Sequence, residues 1–531
     1  MARAGIESIA GFIPRLRLQR SAAVDAMRWA NSSLAGMANG CRSLCGHDED
    51  SVTMAVEAGR LCLAAAPSLT PRELHFATTT APFADRAQSV LTGEAIGLSS
   101  DLRCSDHGGY VGAAMMALIE ALEKQDPALI LAADKRLAKP GSPAELTIGH
   151  GGAAVLTGTE NPIATILANH VVSEDFIDHY RASGADTDYM LEDRWVRDAG
   201  QMKLVPPAVE RLLATAALAA ANIDHVILTG MGDAAARLVA KSSGFDSEQL
   251  TPSLSSECGY TGTAHPLLLL ATTLESAQPG QTILIVNFAQ GVQCLLLETT
   301  EAISAWQPVR SVSAQLAAGK DEPNYCRFLS FGDQLPVDWG VRAERDNRTA
   351  ISAFNRHRKT VTGFIGGKCT ICGAIQFPRT VACVAPDCRA FGTLIDEPFA
   401  DKVGRIRSFT EDYLAISENP PLLYGNVAFD DGGVLLMEFA DSEPGELAVG
   451  QQVRFVFRIK DKDLKRHFQR YFGRPSLSNG REKPDGQGYS RQGRHHRNGL
   501  FPLWRAMGLQ RRRSAGRGFR RSDPGCGDRP R

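Results

Sequence analysis

The chain has 531 residues, with 58 Lys plus Arg against 59 Asp plus Glu, 44% hydrophobic and 22% charged. That composition excludes wholly disordered and collagen-like chains, and the length suits two to four domains. No run approaches the roughly 18 consecutive apolar residues of a membrane span, and the opening MARAGIESIAGFIPRLRL lacks the apolar stretch of a signal peptide, so a cytoplasmic protein with no membrane partner is expected. Residues 1–300 alternate β-type apolar runs, such as 73–80, Ala128–Asp134 and Thr282–Phe288, with Ala/Leu-rich helical stretches, which predicts α/β layering. Gly109-Tyr110-Val111-Gly112 leads through an apolar helical run into ALILAAD, and Gly259-Tyr260-Thr261-Gly262 leads through HPLLLLATTLESA into TILIVNF. The same turn, helix and strand recur about 150 residues apart, the mark of an internal duplication with halves at 1–165 and 166–300.

Residues 301–360 lose this pattern and read as a connector. A cysteine-rich segment follows at 361–400, then an all-β segment at 401–472 with strand candidates at 403–410, 423–429, 433–439 and 452–459. The turn Asp430-Asp431-Gly432-Gly433 joins two of these, which suits a small barrel of the OB type. From residue 473 to 531 Gly, Arg, Ser and Pro dominate, and a disordered basic tail is expected. That tail carries +11 against −12 for the remainder, which together give the chain's −1.

Cys369, Cys372, Cys383 and Cys388 are spaced C-x2-C-x10-C-x4-C, with Gly373 where the chain must turn sharply. Four soft thiolates in a closed tetrahedron favour a structural zinc with no open position for substrate. The remaining cysteines read mostly as core thiols. A zinc ribbon beside an OB-like barrel could bind single-stranded nucleic acid, which needs a basic groove with aromatic platforms. The barrel segment instead carries Asp430, Asp431, Glu438, Asp441, Glu443 and Glu446, which argues against a nucleic-acid partner.

Two families are matched by these residues. Residues 1 to 300 resemble the thiolase superfamily, in its 3-hydroxy-3-methylglutaryl-CoA synthase and ketoacyl-ACP synthase III branch. The match lies in GIESIAGFIPRLRL, Asp48-Glu49-Asp50 with Thr53-Met54-Ala55, Thr78-Thr79-Thr80-Ala81-Pro82-Phe83, Gly149-His150-Gly151-Gly152-Ala153-Ala154 and Phe288-Ala289-Gln290-Gly291. Residues 364–472 are similar to a zinc-ribbon and OB-fold family known as domain of unknown function 35, through Gly367-Lys368-Cys369, Phe377-Pro378-Arg379, Val453-Arg454-Phe455-Val456-Phe457-Arg458 and Tyr471-Phe472. The first resemblance implies a duplicated five-layer α/β/α/β/α fold, usually a homodimer, that handles acyl-CoA or acyl-carrier thioesters. The second segment is read as an acyl-CoA docking or subunit-contact module.

Working members of the first family use a Cys at a helix N-terminus, where the helix field favours the thiolate, with a His and a second His or Asn polarising the thioester carbonyl. Here the nucleophile motif aligns with Asp106-His107-Gly108-Gly109, the His position falls on Thr229 and the Asn position on Tyr260. Asp106, expected at a helix start, is read first as a capping carboxylate and second as a base. His107 is an acid/base candidate in a glycine turn, His265 a neutral hydrogen-bonding or acid/base group opening a helix, and Cys104 a displaced nucleophile. Tyr260 could stabilise an enolate or act as an acid/base in retro-aldol cleavage of a β-hydroxyacyl-CoA; its counterpart Tyr110 is read as core packing. Arg194 and Arg197, in a charged stretch, belong either to a salt-bridged surface loop or to a CoA entrance where they meet the nucleotide phosphates.

These features predict an acyl-CoA enzyme of carbon–carbon bond chemistry in lipid or sterol-like metabolism, with a CoA thioester as substrate and zinc as a structural ion. The alternatives are a non-catalytic scaffold paired with a separate thiolase, and a single-stranded nucleic-acid binder. The tail departs from the second family after Tyr471-Phe472. Gly493 to Gly499, shifted by one base, can spell a thiolase-like N-terminus, so frameshifted sequence is expected there.

Overall fold

The computed structural model describes residues 4–340, 350–430, 432–463 and 465–477. Nine strands build the main sheet: β1 (Gly5–Phe12), β2 (Glu73–Ala77), β3 (Arg103–His107), β4 (Ala128–Asp134), β5 (Gly151–Gly158), β6 (Ala164–Ser173), β7 (His225–Thr229), β8 (Thr282–Phe288) and β9 (Gly291–Thr299). Their order is β7-β8-β9-β6-β1-β5-β4-β2-β3. Reading outward from the β1/β6 junction, each half runs through an antiparallel pair and then a parallel one: β5, β4 and β2 on one side, β9, β8 and β7 on the other. The two halves meet where Gly5 and Ile6 pair with Thr165 and Ala164.

Alternation along the buried strands sorts side chains into layers. Ile130 and Ala132 of β4, with Ile283 and Ile285 of β8, face one shared core that also holds the helices α3 (Ala113–Lys124) and α6 (His265–Leu274). Leu129 and Leu131 turn instead to α1 (Ser51–Ala64) and α2 (Gln88–Ile96), and Leu284 and Val286 turn to α4 (Met202–Ala216) and α5 (Asp233–Ser242). Helices, half-sheet, helices, half-sheet, helices: the chain carries a thiolase-like five-layer α/β fold. Because α6 is covered on both sides it can be apolar all round, and Leu267 to Leu270 are each fully buried.

The expected connector at 301–360 is corrected over its first part. Ile303, Trp306 and Val312 belong to the central core, and α7 (Val312–Ala317) places Gln315 so that its amide takes the Ile13 N–H (3.0 Å) and donates to the Gly11 carbonyl (2.8 Å). From α8 (Tyr325–Phe331), Tyr325 donates its hydroxyl to Glu145 at 2.9 Å. Such short helices hold by caps and tertiary contacts, which leave no long period to read.

Three short strands, β10 (Ile365–Cys369), β11 (Ile375–Gln376) and β12 (Leu394–Pro398), carry the cysteine cluster. Five more form an antiparallel sheet ordered β15-β14-β13-β16-β17: β13 (Gly404–Asp412), β14 (Leu422–Phe429), β15 (Val434–Glu438), β16 (Gln452–Asp463) and β17 (Phe468–Leu477). Its two outer strands approach each other where Ala440 N–H, just beyond β15, donates to the Pro475 carbonyl at 2.9 Å. The expected start of a tail at 473 is corrected too: Gly473 to Leu477 pair with β16, Pro475 opposite Phe455, so β17 ends at Leu477. Residues 478–531, with the rest of the basic tail, lie outside the described residues.

This sheet docks on α1. Phe457, Ile459 and Tyr471 complete the outer core of the first half. Around them, the Asp48-Glu49-Asp50 segment supplies the acids: Arg474 meets Asp48 (3.1 Å), Arg458 meets Glu49 (3.1 Å) and its own sheet's Asp441 (2.9 Å), and Tyr471 donates to Asp50 (2.7 Å). Asp50 also caps α1 by accepting from Thr53 N–H at 2.9 Å. Burial pushes the Glu49 carboxyl up to about 7, the neighbouring Asp441 and Asp48 carboxylates adding to the rise and the Arg458 guanidinium opposing it. The acids that argued against nucleic acid are largely internal partners: Glu438 to Lys460 and Arg474, Glu443 to Arg327 and Lys320, Glu446 to Lys320 and Arg15. Among the described residues no helix is long and apolar enough to cross a membrane.

Candidate functional site

The second glycine-led turn packs against the helix that follows the first. Gly109 (φ +90°) precedes α3, while Gly259 (φ +77°) and Gly262 (φ +61°) precede α6, all in the left-handed region that disfavours a Cβ. A Cβ on Gly262 would stand 2.3 Å from Asp134 Oδ2. That closeness has a purpose. Asp134, fully buried at the end of β4, accepts at Oδ1 from Thr78 Oγ1 (3.0 Å), Thr79 N–H (2.7 Å), Thr79 Oγ1 (3.0 Å) and Thr80 Oγ1 (3.1 Å), and at Oδ2 from Thr263 N–H (2.8 Å). One carboxylate therefore ties the loop after β2 to the turn before α6.

Tyr260 sits in that second turn, its backbone bridged to the segment before β5 by Tyr260 N–H to Thr147 O and Gly149 N–H to Tyr260 O, both 2.8 Å. Its ring meets His265 edge-on, centroids 5.0 Å apart. Burial raises the phenol's pKa, opposed by the nearby Arg136, which is itself clamped to Asp188 through two hydrogen bonds of 2.9 and 2.7 Å. His265 is buried and its pKa is pushed down to about 4, so it is neutral at ordinary pH; Nδ1 accepts from Thr261 N–H at 3.4 Å and the Ser253 backbone engages the ring as well. The structure thus brings Tyr260 and His265 together, with His265 in a packed, backbone-bonded setting.

Thr229, in the family's His position, donates to Asn287 Oδ1 (2.7 Å); Asn287 donates to Gln293 Oε1 (2.8 Å); and Gln293 Nε2 reaches Tyr110 Oη (3.1 Å) and the Gly112 carbonyl (3.2 Å). This relay links a strand of the second half to the turn of the first. Sequence reasoning missed Asn287 and Gln293. The available signal was a polar residue set among the apolar residues of each of two buried strands, β8 and β9.

Asp106, His107 and Cys104 lie elsewhere, on β3 at the edge of the sheet. The expected helix start at Asp106 is corrected: α3 begins only at Ala113, and the Asp106 carboxylate accepts from Gln88 and Ser89 N–H, both at 2.7 Å, capping α2. It is a cap, on a different helix. Cys104 is half-buried next to Asp106, and both effects raise its thiol pKa. Burial likewise raises Cys45, Cys62, Cys258 and Cys294, the setting of unreactive core thiols. His107 lies 2.9 Å from His75 and 3.2 Å from Ser105.

His150, in the glycine-rich motif before β5, is a structural group: Nδ1 accepts from Cys45 N–H (3.0 Å), Nε2 lies 3.0 Å from the Arg136 carbonyl, and burial with Arg42 alongside holds its pKa far below normal. Arg194 and Arg197 occupy a short helical stretch rather than a loop, both paired with Asp198, at 3.6 and 2.7 Å. Trp195 between them stacks on Phe176 at 4.5 Å.

The four cluster thiols converge. All Sγ atoms lie within 4.8 Å of one another, with Cys369 to Cys388 at 3.8 Å and Cys372 to Cys383 at 3.5 Å. Tetrahedral zinc with Zn–S of about 2.3 Å requires S–S separations of about 3.8 Å, so the donor set fits that ion.

Comparisons with known proteins agree with the topology. Residues 213–298 match the family model of the C-terminal domain of 3-oxoacyl-[acyl-carrier-protein] synthase III. The chain is 26% identical over 302 residues to the hydroxymethylglutaryl-CoA synthase of Methanopyrus kandleri, covering 54% of this chain and 85% of that protein. Against the hydroxymethylglutaryl-CoA synthase of Archaeoglobus fulgidus it is 28% identical over 315 residues, covering 56% and 90%. Among solved structures it resembles MvaS in complex with 3-hydroxy-3-methylglutaryl coenzyme A, with a TM-score of 0.54, 17% identity and coverage of 63% of this chain and 93% of that one. A Xanthomonas campestris OleA gives a TM-score of 0.51 at 15% identity, covering 56% and 96%.

Proposed function

We propose that this chain, with its thiolase-like fold, binds acyl-CoA thioesters between its two halves and acts on the carbon–carbon bond beside the thioester carbonyl by acid–base catalysis, without an acyl-cysteine. The observation that carries this reading is Tyr260: a phenol kept protonated by burial, in the turn where the related enzymes place a carbonyl-polarising Asn, backed by a neutral His265 and an anchored Arg136. Such a group donates a hydrogen bond to an enolate oxygen, which suits aldol-type cleavage or formation of a β-hydroxyacyl-CoA. The site lacks an activated thiol at the helix start, since Asp106 serves α2 and Cys104 has a raised pKa. That favours the aldol-type version over covalent acyl transfer.

In this reading Cys369, Cys372, Cys383 and Cys388 hold a structural zinc that folds the ribbon, and the five-stranded sheet is an OB-like module fixed to the first half as a docking or subunit-contact element. Arg194 and Arg197 meet the CoA phosphates, and the protein works as a homodimer in lipid-type metabolism. One observation favours a second reading, a non-catalytic acyl-CoA-binding scaffold paired with a separate thiolase: the His265 ring is taken up by the protein's own backbone.

Calorimetric binding of CoA and turnover of a β-hydroxyacyl-CoA panel, in wild type, Tyr260→Phe and Cys104→Ala, separates these. Binding is expected in all three, with turnover falling about 100-fold or more in Tyr260→Phe and unchanged in Cys104→Ala. Loss in Cys104→Ala instead restores covalent acyl transfer. Binding without turnover leaves the scaffold, and absence of binding ends the reading.

A further inference from the structure

We propose that Ser105, His75 and Glu73 form a second nucleophilic centre on the open edge of the main sheet, an esterase-type serine that accepts acyl groups from activated esters or thioesters. The register of the parallel pair β2/β3 sets it up. Glu73 lies opposite Arg103 and His75 opposite Ser105, so alternate residues of both strands share one face. On that face Ser105 Oγ is 2.8 Å from His75 Nδ1, His75 Nε2 is 3.1 Å from Glu73 Oε2, and Glu73 Oε1 is held by Arg103 at 2.7 Å. A carboxylate receiving Nε2–H fixes the tautomer in which Nδ1 is the acceptor for the hydroxyl proton, a position His107 Nε2 also approaches, at 2.9 Å. Burial is graded to match: Glu73 and His75 are 8% and 7% exposed, while Ser105 is open to solvent. His107 Nε2 lies 3.2 Å from the same hydroxyl and 2.9 Å from His75 Nδ1, so in this tautomer it carries its proton and acts as a donor, while burial and the neighbouring His75 lower its pKa.

In the reaction this geometry supports, Ser105 Oγ attacks the acyl carbon and its proton passes to His75. The bond to the thiol or alcohol leaving group breaks, and that group departs with the proton. Water then repeats the sequence on the acyl-serine, releasing the carboxylic acid and restoring Ser105. None of these residues belongs to the Tyr260 site, so each proposal can fail alone.

The test is labelling of the full chain with a fluorophosphonate probe, read by intact mass and peptide mapping. One phosphonyl group on Ser105 is expected, absent in Ser105→Ala and at least about tenfold slower in His75→Gln. Since His75 is buried and its variant can misfold, the wild-type labelling rate against pH is a second measurement. The groups facing the imidazole are Glu73, Arg103 and His107 on the strands; Glu120 and Lys124 of α3 and Asp126 act on this neighbourhood through His107 and Arg103. A rate that rises with pH and then levels to a plateau supports the assignment. No label on Ser105, equal labelling in folded His75→Gln, or a rate proportional to hydroxide overturns it.

Discussion

In the first half the chain leaving α2 forms β3, a five-residue edge strand whose side chains are all partly or fully exposed; in the second half the chain leaving α5 makes only a single bridge, Leu250 to Val226, before entering the turn of Tyr260. Both then reach a left-handed glycine, a central helix and a central strand. The first turn stands over a polar rim of Ser105, His107 and the Asp106 cap. The second holds the aromatic pair Tyr260 and His265, with the charges of the Arg136–Asp188 clamp acting on the phenol. Main-chain hydrogen bonding carries the repeated backbone and tolerates this divergence, so the duplication preserves shape while the chemistry follows the side chains of each copy.

Removing the carboxylate that joins the copies breaks the comparison most severely. Asp134→Ala leaves five donors without their acceptor and is expected to cost about 3 kcal/mol or more, read by urea denaturation; a loss below about 1 kcal/mol would mean the halves are held by the sheet alone. Next is a pH effect confined to the second turn. His265 has a folded pKa of about 4, below its unfolded value of 6.5, so the unfolded chain takes up the proton first. Its stabilisation is complete above pH 6.5 and is lost as pH falls toward 4, by on the order of 3 kcal/mol in full. His265→Asn flattens that limb of the stability–pH curve.

A smaller effect probes the relay between copies. Thr229→Val deprives the buried Asn287 of its donor and should cost about 1–3 kcal/mol in thermal or urea unfolding. The twin tyrosines sharpen the contrast with the smallest change: Tyr110→Phe removes one hydrogen bond, worth about 1 kcal/mol, and leaves acyl-CoA turnover intact, whereas Tyr260→Phe alters stability no more than that and removes turnover.

Much of this architecture was readable where burial imposes a pattern. The apolar runs 128–134 and 282–288 became β4 and β8, the predicted barrel strands match β13 to β16 within a few residues, and the four cysteines converge as their spacing implied. Elsewhere the signal was carried by tertiary contact. Arg103-Cys104-Ser105-Asp106-His107 shows no alternation of apolar and polar residues, because an edge strand is half solvated, and Asp106 was assigned to the wrong helix for that reason. The predicted all-β segment ends at Phe472 with no strand placed at β17, since Arg474 and Ser476 look like tail residues; both are buried against partners, Arg474 against Asp48 and Ser476 against Asp441. Asn287 and Gln293 are opposite partners in the β8/β9 hairpin, but the reach of this pair to Thr229 on one side and Tyr110 on the other is a proximity no local window contains.

The most direct test of the account is a crystal structure with a non-cleavable β-hydroxyacyl-CoA analogue. The account predicts the thioester oxygen within hydrogen-bonding distance of the Tyr260 hydroxyl, with the pantetheine arm running between the halves. An acyl carbonyl seated at the β3 edge, or a ligand bound only on the C-terminal sheet, would contradict it.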